Sequence, residues 1–331
     1  MPAPLQLSDG YGRVATDLRV SVTDRCNLRC TYCMPADGLA WIQGERLLTD
    51  DELIRLIALS IEWLGVREVR FTGGEPLLRE GLELFVAAAS SRDAATAITT
   101  NGVALAGRAD SLAAAGLKRV NVSLDTLSAT RFAEMARRSR LDDVMAGLAA
   151  ASRAGLGPVK VNAVLLRDVN DGEACDLLSF CLDHGYELRF IEQMPLDPMR
   201  SWAADRFVTA KEILERLSER WTLTPDPVAR GGAPAETWLV DGGPARVGVV
   251  GSVTRPFCAD CNRTRLTADG QVRSCLFAAE ETDLRGAMRA GASDADLAAL
   301  WQHAMAGKAA GHGIGQADFR QPGRAMSAIG G

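Results

Sequence analysis

The stretch LRVSVTDRCNLRCTYC, residues 18–33, joins a short apolar strand pattern to a loop that holds three cysteines. Apolar and polar side chains alternate over residues 18–22, which predicts a β-strand. Cys26, Cys30 and Cys33 follow at once, with the spacing CxxxCxxC. In barrels of parallel βα units, the reactive groups lie where the strands end. The cysteine loop is therefore predicted to lie at the catalytic end of a barrel.

The same order of strand, turn and amphipathic helix recurs through the first two thirds of the chain. It predicts about six parallel βα units. Thr49 with Glu52 forms a capping box that opens a helix, which Gly65 would end. The sequence thus predicts an α/β fold, with an incomplete (βα)6 TIM-like barrel over residues 10–195. The predicted strands are residues 18–22, 66–71, 96–99, 119–124, 159–166 and 187–191.

The regular pattern stops near residue 195. A helix near residues 210–220 and a stretch rich in proline and glycine, residues 225–243, come next. Two short predicted strands near residues 236–240 and 246–250 then lead to a second group of cysteines. We therefore predict a smaller C-terminal α+β domain, residues 196–331, that packs over the incomplete barrel and carries a second metal centre.

Composition excludes several classes of protein. The net charge of −5 argues against a general nucleic-acid binder, so any anion site must be local. No segment has the pattern of a signal peptide or a membrane span, which predicts a cytoplasmic protein without a membrane partner. Six of the eight cysteines fall into two groups, which favours metal or redox chemistry over disulfides.

The first cysteine triad has one thiol fewer than a tetrahedral metal site normally uses. A single loop with this spacing can hold three corners of a [4Fe-4S] cluster and leave the fourth iron open for a ligand. The alternative is a zinc knuckle completed by a distant cysteine or carboxylate.

Polar residues follow each predicted strand. In the TGGEP segment, residues 72–76, Gly73 and Gly74 would let the backbone come close to a ligand, and Glu75 offers a carboxylate. Such a segment is alternatively an ordinary turn. Asn162, inside the fifth strand, is predicted to point into the barrel. The other polar strand ends are Thr23, Asp24, Thr100, Asn101, Ser123, Asp125 and Glu192.

The second triad, Cys258, Cys261 and Cys275, has the spacing CxxCx13C and is also one ligand short. It predicts a second open cluster, and the alternative is a structural zinc completed by a histidine such as His312. Arg263 and Arg265 lie beside it, and arginine is suited to bidentate phosphate binding. Four further cations lie in predicted barrel strands, where a buried charge is costly unless an anion lies close to it. Surface ion pairs are the alternative. These cations are Arg19, Arg70, Lys160 and Arg189.

With its tyrosine before the last cysteine, RCNLRCTYC resembles the signature of radical S-adenosylmethionine enzymes. The wider match, over nearly the whole chain, resembles the GTP 3′,8-cyclase family of molybdenum cofactor biosynthesis. It includes VRFTGGEPLLR, GLKRVNVSLDTL, FCADCNRTRLTADGQVRSCLF and a Gly330-Gly331 terminus. The second triad, its NRTR insert and the two-glycine tail carry this narrower resemblance.

The resemblance implies specific roles. Cys26, Cys30 and Cys33 would hold one [4Fe-4S] cluster, and Cys258, Cys261 and Cys275 a second. S-adenosylmethionine would contact Tyr32, Gly74, Ser123 and Met194. GTP would contact Arg19, Arg70, Thr99, Lys160, Arg189, Arg263, Thr264 and Arg265. Arg263, Arg265, Gly330 and Gly331 would be needed for catalysis, with the tail inserted into the active site; an unanchored terminus is the alternative.

The implied reaction converts GTP into 3′,8-cyclo-7,8-dihydro-GTP, the first step of the pathway. The implied partners are an external electron donor, the cyclic pyranopterin monophosphate synthase that acts next, and a second copy in a homodimer. Two rival interpretations remain at this point: a peptide-maturing radical enzyme, which usually carries more C-terminal cysteines, and a non-catalytic iron–sulfur electron carrier, which would need neither GGEP nor a large barrel.

Overall fold

The computed structural model describes residues 5–203, 205–317 and 319–330, and the strands of this part form one open sheet. The strand order is β12-β11-β10-β1-β2-β3-β4-β5-β6-β9-β8-β7. The strands are β1 (Asp17–Ser21), β2 (Glu68–Thr72), β3 (Ala95–Thr100), β4 (Arg119–Ser123), β5 (Val159–Val164), β6 (Glu187–Ile191), β7 (Leu223–Pro225), β8 (Glu236–Val240), β9 (Arg246–Val250), β10 (Arg263–Leu266), β11 (Gln271–Arg273) and β12 (Thr282–Asp283).

Helices connect the strands, and they begin where the sequence supplies caps. Thr49 caps α1, and the carboxylate of Glu52 accepts a hydrogen bond from the Thr49 backbone at 2.8 Å, which confirms the predicted capping box. The helices are α1 (Asp50–Glu62), α2 (Leu82–Ser90), α3 (Ala109–Ala114), α4 (Ala129–Ala136), α5 (Leu141–Arg153), α6 (Ala174–His184), α7 (Ala210–Ser218), α8 (Leu284–Arg289), α9 (Asp294–Ala306) and α10 (Met326–Ile329). No helix in the described ranges is long and apolar enough to cross a membrane.

Strands β1 to β6 are parallel neighbours in chain order, so the predicted βα units are confirmed. Their bounds agree with the predicted strands to within two residues, and β6 matches at both ends. One face of these strands packs into the main hydrophobic core, which includes Val20, Phe71 and Phe190. The opposite, inner face carries the polar residues.

Two C-terminal strands extend the same sheet rather than forming a separate one. β9 pairs in parallel with β6, and β10 pairs in parallel with β1, so residues after 196 flank both edges of the six-stranded unit. The sequence pattern predicts β9 but not β10. RTRL in β10 lacks an apolar alternation, because two of its side chains face the polar interior and only tertiary pairing makes it a strand.

Candidate active site

Side chains from the inner face of the sheet and from the loops after its strands line one cavity of about 320 Å³. Strands β1 to β6, β9 and β10 all contribute to it, which requires the sheet to curve around it. Asn162 lines this cavity, as predicted from the strand alternation. The other predicted site residues that line it are Arg19, Cys26, Cys30, Tyr32, Cys33, Arg70, Gly74, Thr99, Ser123, Arg189, Met194, Arg263 and Arg265.

The first cysteine triad lies at the cavity wall, in the loop after β1. All three thiols are free and partly buried, and they lie close enough together that burial and the neighbouring Asp125, Cys33 and Cys26 raise the pKa of Cys30 well above its usual value. The loop is held by α4, because the backbone N–H of Thr31 donates to Met135 O at 2.9 Å. The three sulfurs thus face a common volume.

The glycines of TGGEP are required by the cysteine loop itself. Gly74 N donates to Thr23 O at 2.8 Å, and a Cβ on Gly74 would lie 2.3 Å from Arg25 O. A Cβ on Gly73 would lie 2.2 Å from Thr23 O. The two glycines were expected to let a ligand come close to the backbone. In the structure, the backbone of residues 23–25 occupies that position against Gly73 and Gly74. This segment and the cysteine loop form one unit.

Glu75 does not line the cavity. Its carboxylate is fully buried and accepts hydrogen bonds from Thr100 Oγ1 and Asn101 N, both at 2.7 Å, and from Leu77 N at 3.0 Å. Burial raises its pKa to about 7 despite these donors. Glu75 therefore ties the end of β2 to the end of β3 rather than offering a free carboxylate.

Tyr32 joins the cysteine loop to the far side of the cavity. Its hydroxyl donates to Asp125 Oδ2 at 2.7 Å, and the other oxygen of Asp125 accepts from Val164 N at 2.9 Å. Burial raises the pKa of Asp125 to about 6. The hydrogen bond fixes the position of Tyr32, one of the predicted S-adenosylmethionine contacts.

Five arginines from four strands converge on the inner face. Arg70, Arg263 and Arg265 are each at most 8% exposed. Burial first, and then the charge of Arg19, lowers the pKa of both Arg70 and Arg265 to about 9. The pKa of Arg189 is also lowered, mainly by burial. This cluster is a strongly positive surface that lacks a full set of counter-charges.

The inner face also holds carboxylates, but fewer of them. Asp17 accepts two hydrogen bonds from Arg19, both at 3.2 Å, and Glu68 pairs with Arg70 at 2.9 Å and Arg119 at 2.7 Å. On this face of β1 to β6 and β10, seven cations of the described chain lie among three carboxylates, so positive charge exceeds negative charge on these strands; Asp125 and Glu192, which follow the strands, also line the cavity. The cations are Arg19, Arg70, Arg119, Lys160, Arg189, Arg263 and Arg265, and the carboxylates are Asp17, Glu68 and Glu187.

Two of the predicted GTP contacts are not brought to the cavity. The ammonium of Lys160 pairs with Glu187 and borders a separate cavity of about 220 Å³. Thr264 lies between two inward arginines on β10, so its side chain faces the other way, and its hydroxyl accepts a hydrogen bond from Trp301 Nε1 at 2.9 Å. The hydroxyl of Thr264 thus contacts Trp301 of α9 on the side of the sheet away from the cavity.

The second triad lies behind the arginine cluster. Cys258, Cys261 and Cys275 are free and partly buried, and after burial the other two thiols raise the pKa of Cys258. Their chain neighbours Phe257 and Leu276 line the main cavity, and Arg263 lies over the ring of Phe257 at 4.7 Å. Among the described residues, no three His, Cys, Asp or Glu side chains are grouped to hold a single metal ion.

His312 is not available as a fourth ligand of this triad. Its Nε2 is hydrogen-bonded to Ser252 O at 2.8 Å, and its Nδ1 accepts from Ile314 N at 3.0 Å. With both ring nitrogens engaged in hydrogen bonds, this conformation of His312 does not favour a zinc site completed by that residue.

The C-terminal tail enters the cavity region. Gly330 has φ +73°, and its carbonyl accepts a hydrogen bond from the guanidinium of Arg265. Ile329 is fully buried against Leu196 and Leu276. Farther back, Arg324 forms two hydrogen bonds of 2.8 Å to Asp269. The tail is thus anchored up to Gly330, whereas Gly331 lies outside the described residues.

Glu192, a polar strand end noted in the sequence, joins the six-stranded unit to the C-terminal part. Its carboxylate accepts hydrogen bonds from Ala210 N at 2.6 Å, Val253 N at 2.8 Å and Thr254 N at 2.9 Å. It is 1% exposed.

Replacing Glu192 with alanine is expected to lower the free energy of unfolding by about 3 kcal/mol, because it leaves several buried N–H donors without an acceptor. The measurement is urea denaturation of the anaerobic holoprotein. Glu215→Ala, on the exposed face of α7, is the matched control and should change the stability by less than about 0.5 kcal/mol. Equal midpoints for the two variants would contradict this structural role.

Several residues around the second triad were not predicted from the sequence. Phe257 immediately precedes Cys258, and that adjacency was an available signal. Arg13 donates to Cys258 O at 2.6 Å and Lys308 to Cys261 O at 3.0 Å, and both come from distant parts of the chain. No spacing in the sequence indicates these two contacts.

Comparison with known proteins shows the class to which this fold and site belong. The sequence matches the Radical SAM superfamily over residues 20–181 and Molybdenum Cofactor Synthesis C over residues 186–314. The crystal structure of Streptococcus suis SuiB bound to S-adenosylmethionine has a similar fold, with a TM-score of 0.62 at 15% identity over 88% of this chain and 65% of that one. The cysteine loop and the parallel sheet therefore define a protein of the radical S-adenosylmethionine class.

The curated relatives narrow the class to one family. GTP 3′,8-cyclase of Streptomyces coelicolor strain A3(2) is 60% identical over 98% of this chain and 96% of the relative. GTP 3′,8-cyclase of Mycobacterium sp. strain KMS is 59% identical over 100% of this chain and 95% of the relative. The chain belongs to the GTP 3′,8-cyclase family, which confirms the resemblance found in the sequence.

Proposed function

We propose that this chain converts GTP into 3′,8-cyclo-7,8-dihydro-GTP, the first step of molybdenum cofactor biosynthesis, within the cavity of about 320 Å³. The observation that carries the proposal is the position of the buried arginine cluster. It shares the cavity with the first cysteine triad, and Arg263 and Arg265 lie close enough to the second triad for Cys261 and Cys275 to act on their pKa values.

The residues present fit two clusters. Each triad supplies three free, partly buried thiols that influence one another, and thiolates are the ligands that iron–sulfur clusters use. Cys26, Cys30 and Cys33 would hold the first [4Fe-4S] cluster, and Cys258, Cys261 and Cys275 the second. When bound, the first cluster and S-adenosylmethionine supply the 5′-deoxyadenosyl radical that removes the C3′ hydrogen of the ribose.

S-adenosylmethionine would lie next to the first triad. Tyr32, Gly74, Ser123 and Met194 line the cavity there and are its proposed contacts. The hydrogen bond from Tyr32 to Asp125 would hold the tyrosine in place before the ligand arrives, which reduces the ordering cost of binding.

GTP would bind with its phosphates on the arginine cluster and its guanine at the second cluster. A triphosphate supplies negative charge to match the excess positive charge on the inner face. One guanidinium group can bind two phosphate oxygens at once. Arg19, Arg70, Arg189, Arg263 and Arg265 line the cavity for this role, with Thr99 beside them. Lys160 and the backbone of Thr264 stay proposed contacts, although neither side chain lines the cavity.

Holding GTP at both ends serves the chemistry. The new C3′–C8 bond needs the ribose and the base in one geometry, and a carbon radical must be kept from other hydrogen donors. Bond formation leaves an unpaired electron on the base, and one electron and one proton from outside the substrate complete the product. The tail, with Gly330 and Gly331, would close the cavity beside Arg265. The electron donor, the next enzyme, a homodimer and a cytoplasmic location stay predictions.

The proposal is tested by anaerobic incubation of the reconstituted protein with GTP, S-adenosylmethionine and dithionite. We expect chromatography with mass analysis to show a new nucleotide that elutes apart from GTP but has the mass of GTP, because cyclisation removes one hydrogen from C3′ and adds one hydrogen to the base. It should form together with 5′-deoxyadenosine. Incubation with ATP in place of GTP is the matched control. Cleavage of S-adenosylmethionine without any change to GTP would refute the assignment.

A further inference from the structure

Lys308 is a buried cation that contacts the second cysteine triad. It follows α9 and is 4% exposed. Its ammonium donates to Cys261 O at 3.0 Å, to Arg263 O at 2.9 Å and to Cys261 Sγ at 3.3 Å. These three contacts use all the donors that a lysine has.

Among the described residues, the ammonium contacts two carbonyl oxygens and one sulfur and has no carboxylate partner. A buried charge is costly unless an opposite charge lies close to it. Cys261 Sγ, which can carry negative charge, lies 3.3 Å from the ammonium. Burial lowers the pKa of Lys308, and the sulfurs of Cys261 and Cys275 oppose that shift. The thiolates of the triad are therefore the counter-charge that makes a buried Lys308 tolerable.

We propose that Lys308 is the counter-ion of the second cluster and raises its reduction potential through the hydrogen bond to Cys261 Sγ. This inference rests on the proposed second cluster. Reduction adds negative charge to a cluster, so a fixed cation and a hydrogen bond to a ligand sulfur favour the reduced form. Lys308 acts through Cys261 and is a positioning residue.

The surroundings hold Lys308 in place. Arg13 donates to Cys258 O at 2.6 Å and to Ala309 O at 2.6 Å, so it joins the triad to the residue after Lys308. A Cβ on Gly311 would lie 3.8 Å from Cys258 Cβ, which places this segment directly against the triad. The hydrogen bond to sulfur thus belongs to a packed segment.

The test measures the potential of the second cluster alone. The variant Cys26→Ser/Cys30→Ser/Cys33→Ser lacks the first cluster, and Lys308→Met is added to it. We expect the midpoint potential, followed by electron paramagnetic resonance, to become more negative by at least the equivalent of a tenfold change in the one-electron equilibrium, about 59 mV. Lys308→Arg, which keeps the charge, is the control and should shift less.

Each outcome decides the question. Iron content near that of the parent with an unchanged potential would overturn the inference. If Lys308→Met folds by circular dichroism but holds no iron while Lys308→Arg holds it, the need for the cation is supported; loss from both would overturn it. Lys308→Gln replaces Lys308→Met if the latter does not fold. Absence of iron in the parent itself would instead refute the second cluster, and with it this part of the proposed function.

Discussion

Cys258→Ser protein is expected to cleave S-adenosylmethionine and yet lose cyclisation of GTP by roughly 10³-fold or more, because the guanine end of the substrate loses its anchor. The reason is spatial. The first triad lines the cavity wall after β1, whereas the second triad lies behind Phe257 and Arg263. A change at Cys258 therefore leaves Cys26, Cys30 and Cys33 with their own contacts.

The measurement compares 5′-deoxyadenosine and cyclised nucleotide from the same anaerobic reaction. Cys175→Ser is the matched control, since this thiol hydrogen-bonds to Arg216 O at 3.3 Å and belongs to neither triad. The control should retain both products and nearly full iron. Cyclisation by Cys258→Ser at the rate of the control would remove the role given to the second triad.

Removal of Gly330 and Gly331 is expected to lower cyclisation by about 10²-fold or more while both clusters stay bound, because a positioned group at a reacting site is worth that much. Gly330 provides the carbonyl that Arg265 contacts. Without it, the guanidinium of Arg265 loses this hydrogen-bond partner.

A finer variant separates length from conformation. Gly330→Ala keeps the chain length, but Gly330 has φ +73° and an added Cβ would lie 3.0 Å from Thr72 Cγ2, so alanine is strained there. Gly323→Ala, at an exposed position with open space around it, is the control and should be fully active. Full activity of both the truncated protein and Gly330→Ala would show that the tail has no role in the reaction.

Much of the fold could be predicted from local patterns. Strands β1 to β6 alternate or run apolar because their outer faces are buried, and the cap at Thr49 is a local hydrogen-bond pattern. The pairing of β10 with β1 could not be predicted in this way. RTRL is polar because it faces a charged cavity, so its strand character depends on a neighbour more than 240 residues away in the chain.

In the candidate site, too, some features could be predicted from the sequence and others could not. The cysteine spacing and the residue types at the strand ends were sufficient to predict the cavity wall, and the resemblance of RCNLRCTYC to a known signature indicated the class of enzyme. They were not sufficient to show that Glu75 is enclosed by backbone donors, that the hydroxyl of Thr264 contacts Trp301, or that Lys160 pairs with Glu187. Those outcomes depend on which way a side chain faces and on what lies across from it.

By itself, the sequence determined the chemistry: six thiols in two triads, the loop that holds the first of them, and the parallel strands that support it. Only the tertiary structure decided which charges meet, because distant segments supply them. It brought Arg263 and Arg265 of β10 beside β1, which carries Arg19. It also placed the carbonyl of Gly330 in contact with Arg265 and buried Lys308 against Cys261. Electrostatic energy depends on distances through space, and spacing along the chain does not contain those distances.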